Sequence, residues 1–292
     1  MRIVILQGGI GNQLFQLSFY LYLVKAKSEE KTYLYSGNVA RGALSSEELL
    51  MALSSSRKVK LFFGLRNHLV SPKNFARAIN YGRRSRFFNE YISFEEFQEK
   101  PFFRDIDNSH KILFSGYFQD ISILEIVAED LKEIITEKLL SVTSDLKNRL
   151  NLPKDFAAVH VRGGDYYTQK KELHRLGILH KKFFSKIREL AGDLPILLLT
   201  QNKNQITEMI SDINPDFILD GSTCSAFETL ALLSDAKVML GSNSSLSWWG
   251  SWLGTAGRKL YLPSDWDPTG VTIKELGLYH QRLSLIPPIW VK

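Results

Sequence analysis

The chain has 292 residues, and its hydrophobic fraction of 44% and charged fraction of 23% are ordinary for a soluble globular protein of one large or two medium domains. Its net charge is +6, and its one cysteine, Cys224, excludes an internal disulfide framework and a cysteine-based metal site. No stretch reaches the roughly 20 continuous apolar residues that a membrane-spanning helix needs.

The N-terminal segment predicts a strand, a glycine-rich loop and a helix. Met1–Leu6 is rich in Ile and Val, as a buried parallel strand is. Gln7–Asn12 contains three glycines, and Gln13–Lys25 has apolar residues at helical spacing. The glycines interrupt the place where a signal peptide needs its apolar core. We therefore interpret the segment as the opening unit of a Rossmann-like domain, and we expect a cytoplasmic protein or one peripheral to the inner face of a membrane.

The segment from about residue 36 to 110 is less regular and predicts a mixture of helix and loop. Residues 57–86 contain nine basic side chains and no acid. A solvated basic face, an anionic membrane surface, an anionic substrate and nucleic acid would each suit such a stretch. Its aromatic residues do not recur as a base-stacking platform requires, so we expect no nucleic-acid partner. Our hypothesis for this stretch is peripheral contact with an anionic membrane.

Two further elements complete the first half of the chain. Lys111–Ser115 predicts a strand, and Ile121–Leu140 predicts a long amphipathic helix. Asn151–Lys154, which includes a proline, is the best candidate for a domain boundary. We therefore expect one Rossmann-like domain over residues 1–150 and a second over residues 151–292.

The second half of the chain alternates strands with helices. The predicted strands are 156–161, 195–200, 216–219, 237–240 and 259–262, and the predicted helices are 181–191, 203–211, 225–234 and 245–253. This alternation predicts a parallel sheet with helices on both faces. The fold class that we predict is α/β, with two facing Rossmann-like domains and a cleft between them.

Three loops that follow predicted strands carry polar residues, and open α/β sheets bind ligands outside the carboxyl ends of such strands. The first loop, Gln7-Gly-Gly-Ile-Gly-Asn-Gln13, lacks the spacing of a dinucleotide fingerprint and the lysine of a P-loop. Gly9 and Gly11 would let a ligand approach the helix N-terminus, where amides favour an anion. A tight turn between strand and helix explains the same glycines.

The second loop begins in His160-Val-Arg162-Gly-Gly-Asp165, at the end of the strand 156–161. Strand alternation places His160 and Arg162 on one face. The guanidinium of Arg162 offers five N–H donors in a rigid fork that fits a phosphate, and the glycines let backbone amides approach an anion. A core histidine and a surface ion pair between Arg162 and Asp165 are the plainer alternative.

The third loop is Gly241-Ser-Asn-Ser-Ser-Leu-Ser-Trp-Trp-Gly250, between a strand and a helix. Its polar side chains are natural helix N-caps, and the same hydroxyls and amides can hold a diphosphate. The residues concerned are Ser242, Asn243, Ser244 and Ser245. For Trp248 and Trp249 we predict packing between helix and sheet rather than stacking on a sugar.

Together the three loops resemble glycosyltransferase family 11, the bacterial α-1,2-fucosyltransferases, and more loosely the α-1,6- and protein O-fucosyltransferases. The family pattern combines a glycine loop ending in Gly-Asn-Gln, a His-x-Arg-Arg-x-Asp segment and a Ser/Asn-Ser-Ser-x-Ser-Trp-Trp segment. All three occur here in the same order, the second with one substitution. The resemblance implies the GT-B arrangement of two Rossmann-like domains, with residues 1–150 on the acceptor side and residues 151–292 binding the donor.

The resemblance also implies an inverting transferase that needs no metal or other cofactor and moves L-fucose from GDP-fucose to a galactoside. The implied partners are a nucleotide-sugar donor and a glycan or lipid-linked oligosaccharide acceptor of the bacterial surface. By the family's motifs, Arg162 binds donor phosphate together with Ser244 and Ser245. His160 then helps to hold the nucleotide base, and Asn12 lines the active site.

Two positions depart from the family pattern. Gly163 stands where the family has a second arginine, and Thr229, beside Glu228, stands where the family has an aspartate that would read guanine. A shift of one residue turns a helical side chain by about 100°, so Glu228 is not a simple replacement. Two alternatives stay open: the same fold and reaction with a different nucleotide sugar, and a non-catalytic protein that binds a nucleotide sugar or a glycan.

The implied reaction is understandable without a metal. The leaving diphosphate develops negative charge, which Arg162 and oriented amides would stabilise, and the transition state has oxocarbenium character. A general base would help the acceptor hydroxyl, and Asp165 and Glu172 are the candidates. The segment Asp105-Ile-Asp107 has the spacing of a metal-binding motif, but it lies in the irregular region and we assign it no metal.

Overall fold

The structure is a computed structural model that describes residues 1–26, 31–35, 47–62, 90–93, 112–164, 167 and 170–291. Its contacts divide the chain into two compact units, Met1–Thr136 and Glu137–Lys292. Within the described ranges, no helix is both long enough and apolar enough to cross a membrane.

The first unit is built on a parallel sheet with five strands in the described ranges. Its elements are β1 (Arg2–Ile5), α1 (Ile10–Ala26), β2 (Thr32–Tyr35), α2 (Glu47–Ser55), β3 (Leu61–Phe62), β4 (Glu90–Ser93), β5 (Ile112–Ser115) and the first half of α3 (Ile121–Leu150). The strands lie in the order β3-β2-β1-β5-β4, and each neighbouring pair is parallel. Strands β1 and β5 are therefore neighbours at the centre of the sheet, and their carboxyl ends lie at the same edge.

Helix α1 is buried on nearly all sides, and 12 of its 17 residues are inaccessible to solvent. It begins at Ile10, three residues earlier than the sequence predicts, because the Gln13 amide donates to the Gly9 carbonyl at 3.0 Å and closes the first turn. Gly11 and Asn12 thus belong to the helix and not to the loop. The buried face includes polar Gln13 and Gln16, which an apolar helix would normally avoid.

The second unit contains a parallel sheet with six strands in the described ranges. After the end of α3 its elements are β6 (Ala157–Val161), α4 (Lys170–Leu176), α5 (Lys181–Phe184), α6 (Ile187–Ala191), β7 (Ile196–Thr200), a 3-10 turn (Lys203–Gln205), α7 (Thr207–Ile213), β8 (Phe217–Leu219), α8 (Ala226–Asp235), β9 (Val238–Gly241), α9 (Ser245–Leu253), β10 (Lys259–Pro263) and β11 (Leu283–Ile286). The order β11-β10-β9-β6-β7-β8 is that of a complete Rossmann sheet. It reverses between β6 and β9.

Burial of the central strands confirms the predicted α/β class. Every residue of β6 and of β7 is buried, as expected for a parallel sheet covered on both faces. Trp248 and Trp249 of α9 are fully buried, and the indole N–H of Trp248 donates to the Leu278 carbonyl at 2.6 Å. Their predicted packing role is confirmed.

Several element boundaries differ from the sequence-based predictions. Helix α3 runs on to Leu150, so it is continuous through the division between the units, and the loop 151–154 follows its C-terminus. The helix predicted over 181–191 is two short helices, α5 and α6. The Ser185 hydroxyl between them donates to the Lys182 carbonyl at 3.2 Å, a local hydrogen bond that competes with helix continuation.

Candidate active site

The loops after β6 and β9 meet where the strand order of the second sheet reverses. The amide of Ser242 donates to the His160 carbonyl at 3.1 Å, and the Ser242 hydroxyl donates to the same carbonyl at 2.7 Å. This hydroxyl also accepts the amide of Arg162 at 2.7 Å. Ser242 therefore joins the two strand ends at the position where open α/β sheets bind ligands.

His160 lies beneath this junction and is neutral at physiological pH. Its Nδ1 is 2.6 Å from the Ser247 hydroxyl of α9, and its side chain is almost fully buried. Burial, and to a smaller extent the charge of Arg162, lowers the pKa of His160 to about 3. The imidazole thus holds the end of β6 against α9. The role that the resemblance gives it, contact with the nucleotide base, stays a prediction.

Arg162 follows the end of β6 and is partly exposed. It lines a small pocket together with Tyr167, Gly177, Ser242 and Asn243. Burial raises the pKa of Tyr167 to about 12, so its hydroxyl keeps its proton. A guanidinium, a hydroxyl and backbone amides at one edge of the sheet are the groups that a phosphate requires.

The loop between β9 and α9 is held by its own side chains. The Asn243 amide donates to the carbonyls of Leu176 and Trp266 at 2.7 and 2.9 Å, and the Ser244 hydroxyl caps α9 by accepting the Leu246 amide at 3.3 Å. Ser245 is the first residue of α9 and is partly exposed. The positive end of the helix dipole therefore lies beside the residues predicted to bind phosphate.

Gly163 and Gly164 pack under the loop that follows β7. A Cβ atom on Gly163 would lie 3.0 Å from Gln205 Oε1 and 3.4 Å from Thr200 Oγ1. Gly164 has a φ of 69°, and its amide donates to Gln205 Oε1 at 2.7 Å. An arginine in place of Gly163 would force the Gln205 side chain to move, so the loop and the glycine are matched to each other.

Glu228 and Thr229 stabilise the start of α8. The two oxygens of Glu228 accept the Ser225 amide at 2.7 Å, in a capping box, and the guanidinium of Arg149 at 2.8 Å. The Thr229 hydroxyl donates to the Ser225 carbonyl at 2.9 Å. A nucleotide base would have to compete with these bonds, and the predicted roles of both residues in donor recognition stay predictions.

Glutamine side chains of α1 hold the loops that follow β1 and β5. Gln16 Oε1 accepts the Gln7 amide, and Gln16 Nε2 donates to the Gly116 carbonyl, both at 2.8 Å, so one side chain joins the ends of β1 and β5. Asn12 is partly exposed, and its Oδ1 accepts the side-chain amide of Gln119 at 3.0 Å. The sequence-based prediction missed Gln16 and Gln119: Gln16 is visible as a polar residue on an apolar helix, whereas Gln119 lies in the loop before α3.

Several predicted residues lie where the structure gives no side-chain description. Asp165, Asp105, Asp107 and residues 63–86 of the basic stretch are outside the described residues, and Glu172 is placed in α4 by its backbone only. In the described part of the basic stretch 57–86, Lys58 forms ion pairs with Asp130 at 2.5 Å and Glu133 at 2.6 Å. The described ranges contain no group of three or more His, Cys, Asp or Glu side chains able to hold a metal. The identity of the general base stays a prediction.

Two Rossmann-type parallel sheets, each with polar loops after its central strands, are the architecture of GT-B-type glycosyltransferases, and solved structures of that type share this fold. Heptosyltransferase II of Escherichia coli has a TM-score of 0.53 at 13% identity, covering 98% of this chain and 89% of its own. The α-1,6-fucosyltransferase NodZ with GDP gives 0.52 at 13%, covering 87% and 92%. POFUT1 with GDP gives 0.51 at 13%, covering 88% and 96%.

The chain belongs to glycosyl transferase family 11, whose sequence profile matches residues 72–266. The α-1,2-colitosyltransferase of Escherichia coli is 26% identical over 268 residues, covering 85% of this chain and 86% of that protein. The O-antigen biosynthesis glycosyltransferase WbnK of the same species is 23% identical over 294 residues, covering 89% and 93%. The resemblance drawn from the three loops is confirmed, and the chain is a glycosyltransferase.

Proposed function

We propose that this chain is an inverting, metal-independent α-1,2-fucosyltransferase that moves L-fucose from GDP-fucose to a galactoside during O-antigen synthesis. The name of WbnK supports the pathway, and the GDP complexes of NodZ and POFUT1 support the nucleotide. The observation that carries the proposal is the junction at Ser242, which brings Arg162 next to the N-terminus of α9.

The charge at this junction suits a diphosphate leaving group. Arg162 can form two parallel hydrogen bonds to phosphate oxygens, and the amide of Ser245 lies at the positive end of α9. These groups are fixed before the reaction, so they stabilise the charge that develops on the β-phosphate without reorganising. No divalent metal is needed in this scheme, and we expect activity to persist in a chelator.

The transfer is a single displacement at the anomeric carbon. The acceptor hydroxyl oxygen forms the new bond to C1, the bond from C1 to the phosphate oxygen breaks, and GDP leaves with the electron pair. The base, for which Asp165 and Glu172 are our candidates, takes the hydroxyl proton. Attack from the face opposite to the leaving group inverts the configuration at C1.

Replacement of Arg162 tests this proposal. We expect Arg162→Ala to lower kcat/KM for GDP release by about 100- to 1,000-fold, the usual cost of one charge-stabilising donor. Arg188→Ala is the matched control, because Arg188 is an exposed arginine of the same unit whose guanidinium donates to the Ile213 carbonyl. Circular dichroism would verify that both variants are folded. Wild-type turnover in Arg162→Ala would refute the assignment.

A different donor sugar is the second candidate, and the relationship to a colitosyltransferase favours it. Colitose is fucose without the 3-hydroxyl, so a comparison of GDP-fucose with GDP-colitose tests the contact that this one hydroxyl makes. We would compare GDP-fucose, GDP-colitose, GDP-mannose and ADP-linked sugars by nucleotide release. Turnover of another donor with GDP-fucose ignored would select this candidate. Tight donor binding without release, over all acceptors tried, would instead select the non-catalytic alternative.

The basic stretch 57–86 carries a separate proposal, peripheral contact with the cytoplasmic face of an anionic membrane near a lipid-linked acceptor. Co-sedimentation with vesicles of increasing anionic lipid content tests it. Binding that does not respond to the anionic fraction would contradict it.

A further inference from the structure

A second cluster of ligand-type side chains lies at the carboxyl ends of β1 and β5, in the loop that follows β5. Tyr117 is 45% exposed, although large aromatic side chains are usually buried. Its ring lies against the glycine loop, since a Cβ atom on Gly8 would be 3.2 Å from Tyr117 Cε1 and 3.0 Å from Asn12 Nδ2. The Asn12 carboxamide is joined to Gln119 at 3.0 Å. The aromatic ring and two amides therefore share one surface.

Phe118 gives this loop an unusual backbone. It has a φ of 50°, in the left-handed region that bulky residues rarely adopt, at a cost of about 1–3 kcal/mol. The cost is offset by packing, because the buried Phe118 ring stacks on Phe19 with centroids 3.9 Å apart. Phe118 thus anchors the loop in the core, while Tyr117 and Gln119 on either side of it reach solvent. Such outliers persist where a fixed loop shape is required.

The cluster fits a pyranose ring better than it fits a phosphate. Tyr117, Asn12 and Gln119 are uncharged, and the nearby Asp120 carboxylate accepts the Ser122 amide at 2.8 Å and hydroxyl at 2.6 Å. A sugar presents an apolar face of C–H groups, which suits an aromatic ring, and a rim of hydroxyls, which suits carboxamide donors and acceptors. A small number of polar groups around an aromatic surface is typical of sites that bind small molecules.

We infer that Tyr117, with Asn12 and Gln119, forms the subsite that binds the acceptor sugar. This inference rests on the proposed function, because it assumes that a neutral sugar hydroxyl is the nucleophile. Tyr117 supplies the stacking surface, and the Asn12–Gln119 pair orients the hydroxyls. Gly8 keeps the surface open, since a side chain there would crowd both Asn12 and the tyrosine ring.

The test separates acceptor binding from donor binding. With lactose, a β-galactoside, as acceptor and GDP-fucose as donor, we expect Tyr117→Ala to raise the acceptor KM by about tenfold, with a donor KM within about twofold of wild type. Tyr117→Phe should rescue the acceptor KM, because it keeps the ring. The matched control is Tyr279→Ala, which removes a 41% exposed tyrosine of the second unit and should match wild type. A raised donor KM, or an unchanged acceptor KM, would overturn the inference.

A binding measurement keeps the inference testable if the enzyme turns over no GDP-fucose. Saturation-transfer NMR with methyl β-galactoside needs no donor and no catalysis. Loss of the ligand signal in Tyr117→Ala, and its retention in Tyr279→Ala, would support the subsite whatever the donor is. Equal signals in Tyr117→Ala and wild type, or no signal in wild type, would overturn it.

Discussion

Acid should destabilise the second unit, and His160 should account for a measurable part of the effect. The folded state holds His160 neutral with a pKa of about 3, whereas an exposed histidine titrates near its ordinary value of 6.5. Because the folded pKa is the lower one, the unfolded chain binds more protons at intermediate pH. The stability that neutral His160 contributes is therefore complete above pH 6.5 and is lost as the pH falls toward 3.

The expected size of the effect follows from that difference in pKa. Each pH unit in this window costs about 1.4 kcal/mol per buried neutral histidine, so the loss at pH 5 is about 2 kcal/mol for His160. His280 behaves in the same way, since burial and the nearby Arg282 lower its pKa to about 4. Total stabilities of about 5–15 kcal/mol are usual, so the two losses together are a large fraction.

The variant His160→Asn isolates the contribution of this residue. Its amide is placed to replace Nδ1 as the partner of Ser247 Oγ, and it does not titrate. Urea unfolding followed by tryptophan fluorescence reports the correct unit, because all five tryptophans lie in Glu137–Lys292. Between pH 6 and 4.5, the free energy of unfolding should fall more steeply in wild type, by about 1.4 kcal/mol per pH unit. Equal slopes in both proteins would refute the reasoning.

Two further substitutions test close packing, one at the end of β9 and one in the loop after β5. Gly241→Ala should lower the free energy of unfolding of the second unit by about 1–3 kcal/mol, because a Cβ there would lie 2.6 Å from Ser247 Cβ and 2.7 Å from Leu262 Cδ2. Gly254→Ala, where the nearest atom is 3.4 Å away, is the control for the same fluorescence assay, and an equal effect would contradict the prediction. Phe118→Ala should cost the first unit about 3 kcal/mol, through loss of its stack on Phe19. Hydrogen exchange of α1 amides would measure it, and unchanged protection would contradict it.

The sequence predicted most where local signals mark an element at both ends. Helix α9 was predicted to the residue, because Ser244 caps its start and Gly254 follows its end. The capping box of Ser225 and Glu228 was equally visible as a Ser-x-x-Glu pattern, and it would have indicated that Glu228 stabilises a helix. The three polar loops were predictable because apolar strands end abruptly before them, and their motifs were sufficient to identify the family.

What the sequence did not predict depends on contacts between distant positions. Gln16 binds Gly116, about 100 residues further along the chain, and nothing local to either residue predicts that bond. Ser242 resembles an ordinary N-cap until the strand order places it beside His160. The left-handed backbone of Phe118 is opposed by its own sequence, since a bulky residue disfavours positive φ, and the stack on Phe19, a distant position, helps to stabilise it.

The site of the second unit and the Tyr117 cluster of the first unit differ in charge in the way that the proposed reaction requires. The junction in the second unit combines a guanidinium with the N-terminus of α9, which suits an anionic leaving group, whereas the described side chains around Tyr117 offer an aromatic ring and neutral amides, which suit an uncharged nucleophile. Gly163 sharpens this division, because the Gln205 side chain occupies the space beside it. In the proposed reaction, more of the charge stabilisation would therefore fall on Arg162 and the N-terminus of α9 than in the two-arginine pattern of the family. The variant Arg162→Lys would keep the positive charge but lose the two parallel hydrogen bonds to phosphate. We therefore expect that it does not replace the contribution of Arg162 to charge stabilisation.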